Sequence, residues 1–579
     1  MKLIEALEIL RKEPPEPSDA FRAFLASGFE PLHLQTFLTA QLRLAFPGRK
    51  TQILSGVYGD FWGNLDRLSA LGADVGILFC EWSDLDPRLS LRSLGSWEPS
   101  TFPEVLSNVR ARASHLVEVA EKLSRQTTVA ISLPTLPLPP VSFTPGWHAG
   151  ALDLELKAIA SSAGAKLALL ANVKVLNSER LDRASPPGAR LDAKSELAFG
   201  FPYQLTHASV LAEMMSHLVS APTPKKGLIT DLDDTLWSGV LGEEGFDGVF
   251  WDLEHHSQSH GLYQRLLDAL SETGVLLAAA SKNDPQLVAK VLDRNDLILS
   301  RQAIFPVEAH WGPKSESVSR ILKTWNIGAD SVVFIDDSPM ELAEVKATHP
   351  DIECILFPKD DPQALLELLH QLRDLFGKGV LSQEDGIRRE SIRRFQENVR
   401  EFEGRDGKLE DFLAQAKAEL TLNFSKEPLD PRALELVNKT NQFNLNGRRY
   451  TESAWQSYVK QPDTFLLIAA YKDKYGPLGK IAVLAGQTRA KKILLDVWVM
   501  SCRAFSRRIE YQCVAELFKH FQVSHIAFNF QATTKNGPLR EFLAQLLGME
   551  PRAGCELSKD EFAAIQEKTF QGVVEVPNG

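Results

Sequence analysis

The run Leu228-Ile-Thr-Asp231-Leu-Asp233-Asp234-Thr235-Leu-Trp237 constrains this chain more than any other stretch. An apolar segment ends abruptly in two carboxylates spaced i and i+2, with a small hydroxyl residue just after. A buried strand that ends this way belongs at the carboxyl edge of a helix-flanked sheet, where α/β folds place their ligands. Asp231 is then suited to attack phosphorus, and Asp233, on the following turn, to act as acid and base. The backbone carbonyl of Asp233 can also face a cation. Clustered acids repel one another unless a cation sits among them, so Mg²⁺ is expected.

Further segments follow at domain-like distances. Val275-Leu-Leu-Ala-Ala-Ala-Ser281 is a second apolar run, ending in a hydroxyl that can bond a phosphate oxygen or simply cap a turn. His310-Trp-Gly-Pro-Lys314 supplies a cation to balance the nucleophile and a transferring phosphoryl group. Ser331-Val-Val-Phe-Ile-Asp336-Asp337-Ser338 is another strand ending in paired acids, suited to completing a metal site. Helix capping is the alternative role for any of these acids.

A chain of 579 residues exceeds one core, so three or more domains are expected. A net charge of −11 argues against a general nucleic-acid binder, which needs a basic face. Cys80, Cys354, Cys502, Cys513 and Cys555 are scattered and form no CxxC pair, which excludes a disulfide framework and a zinc site of that kind. The charged start Met1-Lys-Leu-Ile-Glu lacks a signal-peptide core, and no apolar run is long enough to span a bilayer. The expected location is the cytoplasm.

The pattern divides into an α/β multidomain chain. Residues 1–222 alternate strands (Gln52–Tyr58, Val75–Cys80, Thr128–Leu133, Lys166–Asn172) with helical segments such as Val105–Leu123, which points to a parallel sheet. Ala221-Pro-Thr-Pro marks a boundary. A phosphoryl-transfer domain spans 223–372, a charged helical connector 373–409, and a third unit 410–579. In the last, Thr464–Ala470 and Lys480–Ala485 flank a turn with Gly476 and Gly479, a hairpin signal, and Ile493–Met500 is a further strand.

Aspartate, hydroxyl, lysine and acid pair in this order resemble the haloacid dehalogenase (HAD) superfamily. The longer stretch Asp231–Gly245 is similar to FkbH-like proteins, with its tryptophan and spaced glycines. The likeness continues through Ser281-Lys-Asn-Asp, Pro313-Lys314 and Phe334-Ile-Asp-Asp-Ser-Pro. It extends to Lys439-Thr-Asn-Gln-Phe-Asn-Leu, Met500-Ser-Cys502-Arg503 and Lys535-Asn-Gly-Pro538. The resemblance implies an N-terminal unit similar to SGNH hydrolases, a Rossmann-like HAD domain with a minimal cap, and a C-terminal α+β unit similar to GNAT acyltransferases. It further implies a small phosphorylated substrate and transfer of a glyceryl unit from a bisphosphorylated glycerate, through a cysteine thioester, onto the phosphopantetheine of an acyl carrier protein. By analogy with related phosphatases, Asp337 is the expected metal ligand and Asp336 its orienting neighbour.

Cys502 is the candidate thiol, since Arg503 beside it favours the thiolate; a buried structural cysteine is the alternative. In Ala504-Phe-Ser506-Arg507-Arg508, Ser506 and Arg508 stand where GNAT acyltransferases more often have glycine, which speaks against acetyl-CoA use and leaves its binding open. The N-terminal unit offers no Ser/Asp/His set and reads as a scaffold or docking surface. A simple phosphatase and a non-catalytic interaction protein of a biosynthetic assembly remain the competing readings.

Overall fold

The computed structural model describes residues 1–12, 20–47, 49–93, 98–140, 144–220, 223–378, 393, 414–474, 476–489, 491–501, 504–505, 507–565, 569 and 571–576. The expected connector over 373–409 lies largely outside them, as do Cys502, Arg503 and Ser506. Two compact units result: residues 1–222 with 451–454, and 223–450 with 455–579. Among the described residues no helix is long and apolar enough to cross a membrane.

The first unit holds a parallel sheet of β1 (Ala20–Ser27), β2 (Lys50–Ser55), β3 (Val75–Phe79), β4 (Thr128–Ser132) and β5 (Val173–Val175), in the order β2-β1-β3-β4-β5. Helices on its faces bury most of the apolar residues of β1, β3 and β4, whereas Ile53 and Leu54 of β2 and Val175 of β5 are half-buried. The strand expected at Lys166–Asn172 is absent. Its first residues close the helix Ala151–Ala168, and β5 starts just after, at Val173. An apolar run carries no period of its own, and Leu152, Leu156, Ala163 and Leu167 are the buried residues of that helix. At the sheet's carboxyl edge, buried Glu81 accepts hydrogen bonds from the Thr135 hydroxyl (2.6 Å) and the Tyr203 hydroxyl (2.7 Å). The His207 ring is enclosed between the Ser185 and Thr135 hydroxyls, at 2.9 and 3.2 Å. These groups satisfy one another, as buried polar groups must.

The second unit carries two sheets. One is parallel: β6 (Gly227–Thr230), β7 (Leu276–Ser281), β8 (Ile304–Ala309), β9 (Val332–Asp336) and β10 (Glu353–Leu356), in the order β10-β9-β6-β7-β8. Strands β6, β7 and β9 are buried throughout, as expected for a sheet covered on both faces. The direction of winding reverses between β6 and β9, which opens a crevice at their carboxyl ends. Between β6 and β7 stand only a helical turn, Leu241–Glu244, two isolated bridges, Asp233 with Trp237 and Ser238 with Phe250, and the helix Gln258–Glu272.

The other sheet is mixed: β11 (Glu419–Asn423), β12 (Thr464–Asp473), β13 (Gly476–Arg489), β14 (Lys492–Met500), β15 (His525–Phe528), β16 (Cys555–Ser558) and β17 (Gly572–Glu575), in the order β16-β15-β14-β13-β12-β11-β17. β12 and β13 form the expected hairpin. Gly476 opens β13 at the turn, whereas Gly479 lies within β13, opposite Tyr471, beside a shift in register. Trp498 and Cys513 are among the core residues of this sheet.

Candidate active site

Lys314 joins the ends of two strands. It opens the helix Lys314–Trp325, and its Nζ lies 2.9 Å from Asp231 Oδ1 and 2.6 Å from Asp336 Oδ2. Asp231 follows β6 and Asp336 ends β9, so both stand at the switch point of the sheet. All three side chains are buried, with Asp336 fully enclosed. Burial pushes the Asp231 carboxyl up to about 7, with Asp336 adding to the rise and Lys314 opposing it. Burial likewise raises Asp336, against the pull of Lys314.

Asp337 completes the acid cluster. Asp231, Asp336 and Asp337 each present a carboxylate oxygen, and these lie within 4.8 Å of one another. Three carboxylates converge beside one enclosed lysine, and an all-oxygen donor set of this kind fits a hard divalent cation. Asp336 has little left to offer a metal: Oδ2 holds Lys314, and Oδ1 accepts from the Ser338 amide at 2.9 Å. Asp337 gives one oxygen to Lys359 (2.9 Å) and keeps the other.

Asp233 stands apart from that cluster. Its Oδ1 accepts from Trp237 Nε1 (3.0 Å) and the Leu241 amide (3.2 Å), and its Oδ2 from the Asn283 amide group (2.8 Å). These bonds give a physical reason for the tryptophan at position 237. Burial raises the Asp233 carboxyl, and the three donors hold it back. Asn283 also donates to Ser281 Oγ at 3.1 Å, so it ties the expected acid–base to the expected phosphate-binding hydroxyl. The loop between them turns at Asp234, in the left-handed region with φ +50°; its side chain accepts from the Gly239 amide (2.9 Å) and from Lys359 (2.7 Å).

Of the residues singled out in the sequence, Asp231 and Asp336 thus meet at Lys314, with a carboxylate oxygen of Asp337 within 4.8 Å of theirs. Asp233 and Ser281 meet each other through Asn283. Asn283 and Lys359 were not singled out for a role. Asn283 sits in the quoted Ser281-Lys-Asn-Asp stretch; Lys359, just beyond β10, carries no local signal at all.

No protein-family model matches the chain, and no curated protein matches it. Among solved structures, it is similar to the N-terminal part of protein BF1531 from Bacteroides fragilis, which contains a phosphatase domain and was crystallised with Mg. The TM-score is 0.52 at 19% identity, covering 66% of this chain and 100% of that one. At that identity the likeness establishes a shared fold. An uncharacterized protein from Corynebacterium glutamicum aligns over 27% of this chain and 98% of its own, with 16% identity and a TM-score of 0.20, too low to carry weight.

Proposed function

We propose that this chain is a Mg²⁺-dependent phosphohydrolase of the HAD type. The observation that carries this reading is Lys314 clamped between Asp231 and Asp336 at the switch point, with Asp337 beside them. The Mg-bound phosphatase domain of the similar Bacteroides protein supports it. Asp231, Asp337 and the Asp233 backbone carbonyl would hold the cation, which supplies charge neutralisation at the phosphoryl group.

Asp231 attacks phosphorus, forming an aspartyl–phosphate bond as the bond to the leaving oxygen breaks. Asp233 gives that oxygen a proton. It does so by exchanging its Asn283 bond for one to the substrate. Water then attacks the aspartyl-phosphate, Asp233 takes the water's proton, and phosphate leaves with Asp231 restored. Lys314 favours the ionised form of Asp231 against its burial and holds it in place. Ser281 donates to a phosphoryl oxygen.

The finer reading rests on the resemblance to FkbH-like proteins. In it the substrate is a three-carbon acyl phosphate of the 1,3-bisphosphoglycerate type. The acyl unit passes to Cys502 as a thioester, then to an acyl carrier protein. The support is the likeness of Met500-Ser-Cys502-Arg503 and the flanking stretches.

The first test is phosphate release from p-nitrophenyl phosphate and acetyl phosphate. Release that needs Mg²⁺, stops with chelator and falls at least a thousandfold in Asp231→Asn is the expected result. Release that persists in Asp231→Asn would sink the reading. Intact-protein mass spectrometry with 1,3-bisphosphoglycerate and a holo carrier protein tests the finer one. A glyceryl adduct lost in Cys502→Ala supports it; phosphate release with no adduct favours a simple phosphatase.

A further inference from the structure

The second unit has a second concave site, at the opposite edge of the parallel sheet. It is a cavity of about 470 Å³, within the size range of small-molecule sites. Lys225 and Lys226 precede β6, Gly328–Ser331 precede β9, and Asp351 precedes β10; all line it. Asp231 and Asp336 lie at the far ends of the same strands. Five residues at about 3.3 Å each put Lys226 and Asp231 about 17 Å apart along the sheet. The cavity is therefore not part of the phosphoryl-transfer site.

Its lining is strongly cationic. Lys225, Lys226, Lys378, Arg432, Lys439 and Lys535 face two carboxylates, Asp330 and Asp351. Glu353 pairs with Lys225, and Glu435 with Arg432 and Lys439, from behind this wall. Asp330 pairs with Lys535 within the wall itself, and along the described lining six basic residues stand against two carboxylates, in a chain whose net charge is −11. A concave wall of one sign concentrates the opposite charge. Met500, Leu436 and Phe505 supply an apolar floor.

The opposite wall is a built structure. Asn536, 1% exposed, donates from Nδ2 to the Asn444 carbonyl (3.0 Å) and the Gln531 carbonyl (2.9 Å), and its Oδ1 accepts from the Thr533 amide (2.8 Å). Buried Asn444 donates to the Thr440 carbonyl (3.0 Å) and accepts from the Gly447 amide (2.8 Å). Two buried asparagines therefore fix the loops that present Lys439, Thr440 and Lys535 to the cavity. Fully satisfied buried networks of this sort define one geometry. The Asp231 chemistry makes no use of them.

We propose that this cavity is a binding site for a small organic anion of the phosphate-ester class. Its lysines meet the phosphate, and the Met500–Phe505 floor meets an apolar body. The proposal stands apart from the reaction at Asp231 and does not depend on it.

The test is calorimetric titration of the full chain with inorganic pyrophosphate, in chelator and without Mg²⁺, where no turnover occurs. One-to-one binding is expected, weakened at least tenfold in Lys439→Gln/Lys535→Gln and weakening with added salt. Asp330→Asn removes a carboxylate from the wall and is expected to tighten binding at least twofold, which guards against a double variant that merely misfolds. Absence of binding would overturn the proposal, as would affinity indifferent to both variants. Binding lost in Ser281→Ala but kept in the lysine variant would place the anion at the Asp231 site and overturn it too.

Discussion

Lys314 separates two buried carboxylates that would otherwise face each other. Replacing it by methionine leaves both uncompensated, so unfolding by urea in chelator should show a loss of about 3–5 kcal/mol. An unchanged midpoint would mean that the acids simply take up protons. Asn283→Ala tests the tie between Asp233 and Ser281. Turnover should fall about tenfold or more, and the midpoint of its pH profile that reports Asp233 should move upward as the carboxylate loses a donor to its charged form. A fall in turnover with no change in that midpoint would make Asn283 a packing residue only. At this scale the sequence was most legible where a polar residue ended an apolar run, a carboxylate at Asp231 and Asp336 and a hydroxyl at Ser281. Lys359 was silent for a physical reason: its partners Asp234 and Asp337 reach it only because β10 lies beside β9, a pairing that no local pattern encodes.

Strands announced themselves when apolar runs were short and bounded, as β6, β7, β9, β12 and β14 were. The helix Ala151–Ala168 hid its final turn in a run of leucines and alanines, and β1 was masked by exposed Arg22 in its interior. Bulges were not legible, because they depend on the partner strand. At Gly486 the pairing of β13 with β14 slips, and an added Cβ would sit 2.2 Å from the Leu494 carbonyl oxygen. Backbone cannot step aside as a side chain can. Gly486→Ala should therefore destabilise the second unit by about 1–3 kcal/mol, read as a lower urea midpoint. A neutral result would show that the bulge relaxes.

One buried ring gives the first of the two compact units a pH response. In the first unit His207 is fully enclosed, and burial, aided by Arg190, pulls its pKa down to about 3. Once unfolded, the ring takes a proton near its ordinary value of about 6.5. The unfolded state thus binds the extra proton between those values. Stability is whole above about pH 6.5 and drains away as pH falls toward 3, by about 1.4 kcal/mol per unit. Melting temperatures of the full chain and of His207→Gln, followed from pH 7 to 4, should show a shallower decline in the variant; parallel declines would remove His207 as the cause. The second unit invites a different thought. Its strand β6 has four residues, with Lys226 before it and Asp231 after it, and Gly227 rests on Trp325, where a Cβ would approach the ring to 2.5 Å. Such a strand has no interior in which a disturbance can fade. Random mutagenesis selecting for altered catalysis should therefore return hits behind the sheet, around positions 226–227, as readily as hits beside the nucleophile, and an engineer working on one rim inherits the other.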